Sequence, residues 1–182
     1  MRFKLKKAVS VLHQGGVLAY PTEAVYGLGC DPLNKEALVK ILKLKQRQIN
    51  KGFILVASHF SQLSPYLGSL DKIEMSPILA SWPGHLTWIL PANPKLSKYL
   101  TGRRKTIAVR VSAHPAIISL CNLYNGAIVS TSANLTRQPA IKNKYTLLKQ
   151  FNNKVDGIYF EKIGHNFQPS QIKDGLTGRI CR

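Results

Sequence analysis

The sequence has few acidic residues: 8 aspartates and glutamates stand against 26 lysines and arginines, which gives the 182-residue chain a formal net charge of +18. So few carboxylates leave little material for general acid–base catalysis. The positive charge favours contact with polyanions, including RNA and nucleotides. An AT-rich coding sequence explains the positive charge equally well, because lysine and asparagine both have AT-rich codons. Charge alone therefore does not identify the function.

Cysteine is also scarce, and long apolar runs are absent. Cys30, Cys121 and Cys181 are odd in number and far apart, with no Cys-x-x-Cys and no histidine cluster near them. This pattern argues against a disulfide framework or a zinc site, and it favours a reducing cytoplasm. Because no run of about twenty apolar residues exists, no membrane span is expected. We therefore expect a cytoplasmic protein with no bound metal of its own.

The length of the chain predicts one domain, over residues 1–182. Helical periodicity covers residues 3–14, 35–45, 61–67, 72–81, 114–125 and 145–151. Strand-like runs cover residues 17–20, 53–58, 86–92, 106–112, 126–134, 157–160 and 178–181. Helices and strands that alternate in this way predict an α/β layered domain.

The stretch AYPTEAVYGLGCDP, residues 19–32, ends the first predicted strand with proline, threonine, glutamate and glycines. One interpretation is a turn between two strands that Thr22 and Glu23 cap. The other is the edge of a pocket that holds a small polar ligand. Taken by itself, the stretch is explained by the turn.

Three further segments carry polar residues beyond what their context requires. Lys45 and Arg47 lie where the second predicted helix ends, and a solvated helix end explains them when they are taken alone. Arg110 interrupts an apolar strand, and a buried guanidinium needs an anionic partner. The strand that leads into residues 130–134, STSAN, ends in small hydroxyl and amide groups, as ligand sites in open α/β sheets do.

Together these segments predict an anion site. Lys45 and Arg47 can supply a point charge and a bidentate fork to phosphates, and serine and asparagine can add neutral donors. The chain has no Walker loop, and Gly27 and Gly29 do not fit the dinucleotide-binding spacing. A nucleophile elbow and a metalloprotease motif are also missing from the sequence. Chemistry at such a site must rely on orientation and electrostatics.

Five segments in this order resemble the YrdC family: AYPTEAVYGLGCDP, LKQR, SWPGHLTWILPA, AVRVSAHP and VSTSAN. The resemblance covers residues 7–179. It implies an α/β fold with one twisted mixed sheet, flanking helices and a concave basic cavity. It also implies a nucleotidyltransferase that makes threonylcarbamoyl-adenylate from L-threonine, bicarbonate and ATP and releases pyrophosphate. The product is then expected to pass to a threonylcarbamoyl transferase complex that modifies tRNA, and tRNA is itself a candidate partner.

The resemblance also assigns roles to residues. The family's Lys-x-Arg and Ser-x-Asn signature, which is expected to bind ATP and carry catalysis, falls on Lys45, Arg47, Ser132 and Asn134. Thr106 is a further expected contact to the nucleotide, and Arg110 is expected to hold the threonine carboxylate. The other expected threonine contacts are Thr22, Tyr26, Thr87, Ser130 and Ser170. Mg²⁺ is expected to arrive with ATP, bound through the phosphates.

Two positions depart from the family pattern. Gln48 stands where proline usually follows Lys-x-Arg, and Arg137 stands where glycine is common. Either departure could slow turnover, although neither changes the four signature positions.

Two alternative functions stay open. An RNA-binding or ribosome-assembly protein would use the basic cavity for structured RNA, although no RNP-like aromatic pattern or GxxG loop is present. A carbamoyl-transfer module ranks lower, because the acylphosphatase-like and zinc segments that accompany such modules are missing from this sequence.

Overall fold

The computed structural model describes residues 2–136, 138–166 and 168–181. In these ranges eight strands form one sheet: β1 Leu18–Pro21, β2 Tyr26–Gly29, β3 Ile54–Ala57, β4 Leu86–Pro91, β5 Thr106–Val111, β6 Ile128–Ser132, β7 Gly157–Ile158 and β8 Gln171–Asp174. Their order across the sheet is β7-β1-β2-β6-β3-β5-β4-β8. The pairs β1/β7, β3/β5 and β4/β8 are parallel, and the others are antiparallel. The mixed α/β sheet is therefore confirmed.

Helices flank this sheet. The described ranges contain α1 Arg2–His13, α2 Lys35–Lys45, α3 Met75–Ala80, α4 Lys98–Thr101, α5 Pro115–Tyr124 and α6 Lys144–Phe151. Helix α2 matters most for the site. It begins where the Asn34 side chain accepts a hydrogen bond from the Ala37 amide at 2.8 Å. It ends at Gln46, whose φ of 49° is left-handed and turns the chain back toward the sheet directly after Lys45.

Several predicted elements differ from the structure. Residues 61–67 form two short 3₁₀ turns, Phe60–Gln62 and Ser64–Tyr66, in place of one helix. The last predicted strand is an isolated bridge from Ile180 to Lys173, and β8 forms the edge strand beside it. Strand β2 was not predicted, because its glycines and tyrosine carry no alternating pattern.

Alternation along the strands separates two faces of the sheet. Helices α1 and α5 cover one face, where Leu12, Tyr20, Val56, Ile117 and Ile128 pack together. On the opposite face α2 and α3 pack against β3 and β5, and α6 packs against β2. None of the helices in the described ranges combines the length and apolar character that crossing a bilayer requires.

The face under α1 and α5 also contains the site. The strand register pairs Ile54 with Ser130 and Val56 with Arg110, so these four side chains share one face. Val56 lies in the core beneath the helices, whereas Ile54, Ser130 and Arg110 line a cavity. The sheet therefore presents polar groups where its helical cover ends.

Candidate active site

The cavity has a volume of about 330 Å³, which is within the range of small-molecule sites. No aspartate or glutamate is among its lining residues in the described parts of the chain. Its lining comprises Thr22, Ala24, Val25, Gly27, Arg47, Ile54, His85, Arg110, Ser130, Thr131, Ser132, Asn134, Ala140, Pro169 and Ser170.

Three of the four signature residues line one side of this cavity, and the fourth, Lys45, is hydrogen-bonded to two of them. We call this group the cationic side: Lys45, Arg47, Ser132 and Asn134. Lys45 is the last residue of α2 and only 3% exposed. Its Nζ donates to the Ser132 carbonyl, to the Asn134 carbonyl at 2.8 Å and to Asn134 Oδ1 at 3.0 Å. The Ser132 hydroxyl donates to the same Oδ1 at 2.6 Å. Residues that are 87 positions apart in the chain therefore form one cluster.

The Lys45 ammonium is held by neutral oxygens. The ion pairs in the described ranges are Lys40–Asp156 and Arg110–Glu23, and neither includes Lys45. Burial, together with the nearby Arg47 charge, lowers the pKa of Lys45 to about 8. An anion that enters this side would relieve both effects, because it would supply the countercharge that Lys45 lacks.

Arg47 reaches the cavity from the turn after α2. Its guanidinium donates to the Gly52 carbonyl at 2.8 Å and lies 5.7 Å from the centre of the Phe53 ring. Gln48, one of the two departures from the family pattern, has φ −66° and ψ 138°. Proline favours the same φ, so a proline would fit the backbone at this position.

The second part of the cavity, the polar side, consists of Thr22, Arg110, Ser130 and Ser170, and the buried Thr87 contacts Ser170. Arg110 is 5% exposed and pairs with Glu23, with 2.9 Å between Nη2 and Oε2. The other carboxylate oxygen of Glu23 accepts a hydrogen bond from Ser112 at 2.6 Å. The anionic partner that a buried guanidinium requires is therefore Glu23. The sequence predicted this residue only as a cap of the turn and not as part of the site.

The small hydroxyls of the polar side are already oriented. Thr22 Oγ1 donates to the Val25 carbonyl at 2.7 Å, and Thr87 and Ser170 share a hydrogen bond of 2.9 Å. The stretch from Thr22 to Val25 is thus a turn between β1 and β2, and it also lines the cavity. The turn is therefore confirmed, and the ligand that the pocket edge would hold stays a prediction.

Four of the expected site residues are not among those that line the cavity. Lys45 and Thr87 are each hydrogen-bonded to a lining residue, Asn134 and Ser170, whereas Tyr26 and Thr106 lie elsewhere. Tyr26 packs on the opposite face of the sheet with Leu28 and Ala133, because strand alternation directs it away from Gly27. Thr106 begins β5 and lines a separate cleft beside Pro91. Arg137, the second departure from the family pattern, lies outside the described residues.

His85 lines the cavity and was missed as a site residue. Its Nδ1 lies 3.1 Å from Arg110 Nη1. The segment SWPGHLTWILPA was part of the family resemblance, but nothing in its spacing indicates which of its residues reaches Arg110. Within the described ranges, no group of three or more histidine, cysteine, aspartate or glutamate residues is placed to hold a metal ion.

Comparisons with known proteins identify the family of this chain. The family model Sua5/YciO/YrdC, described as "Telomere recombination", matches residues 10–182. The threonylcarbamoyl-AMP synthase of Stenotrophomonas maltophilia is 46% identical over 180 residues, covering 98% of this chain and 97% of the relative. That of Coxiella burnetii is 43% identical over 178 residues, covering 98% and 96%. Relatives so named and so similar along nearly their whole length support an enzyme role.

Solved structures show the same fold. P. abyssi Sua5 in complex with L-threonine matches with a TM-score of 0.88 at 28% identity, covering 96% of this chain and 51% of that one. This chain thus spans about half the length of Sua5. E. coli YciO matches with a TM-score of 0.81 at 26% identity, covering 96% of this chain and 84% of that one. The family model, the similar sequences and the shared fold together show that the chain belongs to the Sua5/YciO/YrdC family.

Proposed function

We propose that this protein makes L-threonylcarbamoyl-AMP from L-threonine, bicarbonate and ATP and releases pyrophosphate. One observation carries the proposal: Lys45, Arg47, Ser132 and Asn134 converge beside a polar pocket in which Arg110 is matched by Glu23. The names of the similar bacterial proteins and the L-threonine complex of P. abyssi Sua5 support it.

The reaction needs no protein nucleophile. The amine of threonine adds to bicarbonate and water leaves, which gives a carbamate. A carbamate oxygen then attacks the α-phosphorus of ATP, and the bond to the β-phosphate oxygen breaks as pyrophosphate leaves. Both reactants are anionic, so the main barrier is their mutual repulsion, and fixed cations lower it.

We assign the triphosphate to the cationic side. Lys45 and Arg47 neutralise charge that develops at the α-phosphate, and Ser132 and Asn134 orient its oxygens. The lowered pKa of Lys45 fits this role, because a buried ammonium without a carboxylate partner gains more from a phosphate than a paired one does.

We assign L-threonine to the polar side. An amino acid carries one positive and one negative charge, and the Arg110–Glu23 pair offers one of each. Thr22, Ser130 and Ser170 add hydroxyl groups for the amine and side chain, and Thr87 orients Ser170. We assign Tyr26 and Thr106 no direct contact with either substrate. Tyr26 supports the site through its carbonyl, which accepts from the Ala133 amide at 2.7 Å.

The remaining partners follow from this chemistry. Mg²⁺ enters on the triphosphate, since the described lining of the cavity offers it no carboxylate. The product is a reactive mixed anhydride, which suits transfer by a threonylcarbamoyl transferase complex to tRNA in the cytoplasm. We further propose that residues 1–182 act as one domain.

The direct test is to incubate the protein with labelled threonine, bicarbonate, ATP and Mg²⁺. We expect threonylcarbamoyl-AMP and pyrophosphate in equal amounts, and no adenylate when any one substrate is omitted. Pyrophosphate without labelled adenylate would contradict the proposal.

A titration with ATP and with tRNA in rising salt addresses the RNA-binding alternative, which the net charge of +18 favours. The enzyme requires nucleotide binding that threonine strengthens. A protein that only binds RNA would lose its affinity for tRNA steeply as the salt concentration rises, and nucleotide would not change that affinity.

A further inference from the structure

His85 is fixed at the rim of the cavity by the chain on either side of it. The Gly84 amide donates to the Val111 carbonyl at 2.9 Å, and the Trp82 indole donates to the Leu86 carbonyl at 2.7 Å. A side chain at position 84 would lie 2.6 Å from the Ser81 carbonyl, so only glycine fits this turn. The loop therefore holds the imidazole in one place.

Each ring nitrogen of His85 has a hydrogen-bond partner that can act only as a donor or only as an acceptor. Nδ1 lies 3.1 Å from Arg110 Nη1, and Nε2 lies 2.9 Å from the Gln168 carbonyl. A guanidinium only donates and a carbonyl only accepts. The contacts therefore require a lone pair on Nδ1 and a hydrogen on Nε2, which is a neutral imidazole of one tautomer.

We propose that His85, in this neutral form, is a positioning residue for the amino acid substrate. It fixes the Arg110 guanidinium on one side and the segment of residues 168–170 on the other. This segment ends in Ser170, whose hydroxyl meets Thr87 at 2.9 Å. The inference rests on the proposed function, because it assumes that the polar side binds L-threonine.

Protonation of His85 would break the arrangement. A hydrogen on Nδ1 would point at a guanidinium that has only hydrogens to offer, and two positive charges would meet at about 3 Å. Among the described residues, the charged group in contact with the imidazole is Arg110, from β5, and Glu23, on the turn after β1, pairs with Arg110. The 168–170 segment adds no ionisable group. Beyond Glu23 lies His114, whose pKa burial lowers, so it adds no charge at neutral pH.

Loss of the imidazole should affect the binding of the two substrates unequally. Arg110 and Ser170 belong to the polar side, whereas Lys45 lies in a separate cluster with Ser132 and Asn134. Strands β6 and β5 are separated by β3, a distance of about 10 Å across the sheet. Loss of the imidazole is therefore expected to weaken threonine binding and to leave ATP binding nearly unaffected.

Three substitutions of His85 separate the two contacts. His85→Asn places an oxygen near the Nδ1 position and keeps the acceptor for Arg110. His85→Gln places an amide nitrogen near Nε2 and keeps the donor to Gln168. His85→Ala removes both. The matched control is His13→Asn, an exposed histidine at the end of α1 that contacts the Tyr124 ring.

The expected result is a change in KM for threonine with little change in KM for ATP or in kcat. His85→Ala raises the KM for threonine about 10- to 30-fold, and His85→Asn, which keeps the charge-assisted contact, raises it about 3-fold.

The contrary results are equally clear. If the wild type makes adenylate but His85→Ala and His85→Gln keep the KM for threonine of His13→Asn within about 2-fold, His85 positions nothing. If KM for ATP rises as much as KM for threonine, the effect is general and the inference is wrong. If the wild type makes no adenylate at all, the proposed function fails. Should His85→Ala not fold, the Asn and Gln variants carry the test.

Discussion

Each side of the cavity has a buried cation, but the two cations have different partners. On the cationic side, the buried Lys45 donates to three neutral oxygens, and burial lowers its pKa to about 8. On the polar side, the buried Arg110 pairs with Glu23 at 2.9 Å. One cation is left to be neutralised by a ligand, whereas the other is neutralised by the protein. Net charge at a site therefore depends on the partners of each cation more than on how many cations are present.

Under the proposed function, this difference assigns the two unlike reactants to different sides of the cavity. A triphosphate is drawn to a side that has spare positive charge, while a zwitterion is drawn to a side with balanced charge. If both sides were equally cationic, ATP could occupy the threonine position. Four changes to the protein or its conditions test the difference, in order of expected size.

Lys45→Ala removes the buried ammonium and should have the largest effect. We expect kcat/KM for adenylate formation to fall at least about 1,000-fold, because the charge that develops at the α-phosphate loses its main countercharge. Lys43→Ala, an exposed position in the same helical turn, is the control and should stay within about 2-fold. A Lys45→Ala enzyme with near wild-type activity would show that the cationic side does not bind the reacting phosphate.

Glu23→Gln removes the countercharge of Arg110 and makes the polar side cationic. A buried ion pair that loses one partner leaves a charge unpaired, and we expect the free energy of unfolding to fall by about 3 kcal/mol. Urea unfolding measures it, with Glu74→Gln, an exposed residue before α3, as the control. An unchanged free energy of unfolding would mean that solvent in the cavity, and not Glu23, stabilises Arg110.

The pH dependence of stability distinguishes the two cations. Lys45 has a pKa of about 8 in the folded protein against an ordinary value of 10.5. Between these values the unfolded chain binds more protons, so stability rises with pH. Relative to Lys45→Met, the free energy of unfolding of the wild type should rise by about 2 kcal/mol from about pH 7.5 to about pH 9.5. Thermal or urea unfolding at matched pH measures the difference, and a constant difference would show that Lys45 is well solvated.

Thr22→Val is the mildest change and affects the polar side alone. The hydroxyl donates to the Val25 carbonyl, and its lone pairs remain available to accept from a ligand amine. We expect KM for threonine to rise about 10-fold with KM for ATP unchanged, and the fold to survive. Thr22→Ser keeps the hydroxyl and should behave like the wild type. Equal kinetics for the Val and Ser variants would mean that Thr22 only closes the turn.

Much of the fold could be predicted because the signals are local. Asn34 before α2 is a strong helix-capping residue, and the apolar spacing within α2 gives one buried stripe. Strands β3, β4 and β5 are apolar runs that stand out from their neighbours. Strand β2 could not be found in this way, since its residues YGLG pair with β1 and β6 through backbone groups that every residue carries.

The site was predicted in part. The four signature positions converge, and Thr22, Arg110, Ser130 and Ser170 line the cavity as expected. Tyr26, Thr87 and Thr106 do not line it. Tyr26 lies on the opposite face of the sheet, Thr87 is fully buried against Ser170, and Thr106 lies at the start of β5 in another cleft. These placements depend on how the strands pair, which no local pattern in the sequence shows. Glu23 and His85 were missed for the same reason: a pairing across 87 or 25 positions leaves no local pattern.

The sequence by itself determined the residue types, the helices and most strands, and the family, because these depend on composition, local periodicity and ordered motifs. The tertiary structure alone decided which cation is paired. Arg110 meets Glu23 and His85 while Lys45 meets only carbonyl oxygens, and no feature of the chain near these residues distinguishes the two. Charge balance depends on distances of a few ångströms between residues far apart in sequence, and only the packed sheet sets those distances.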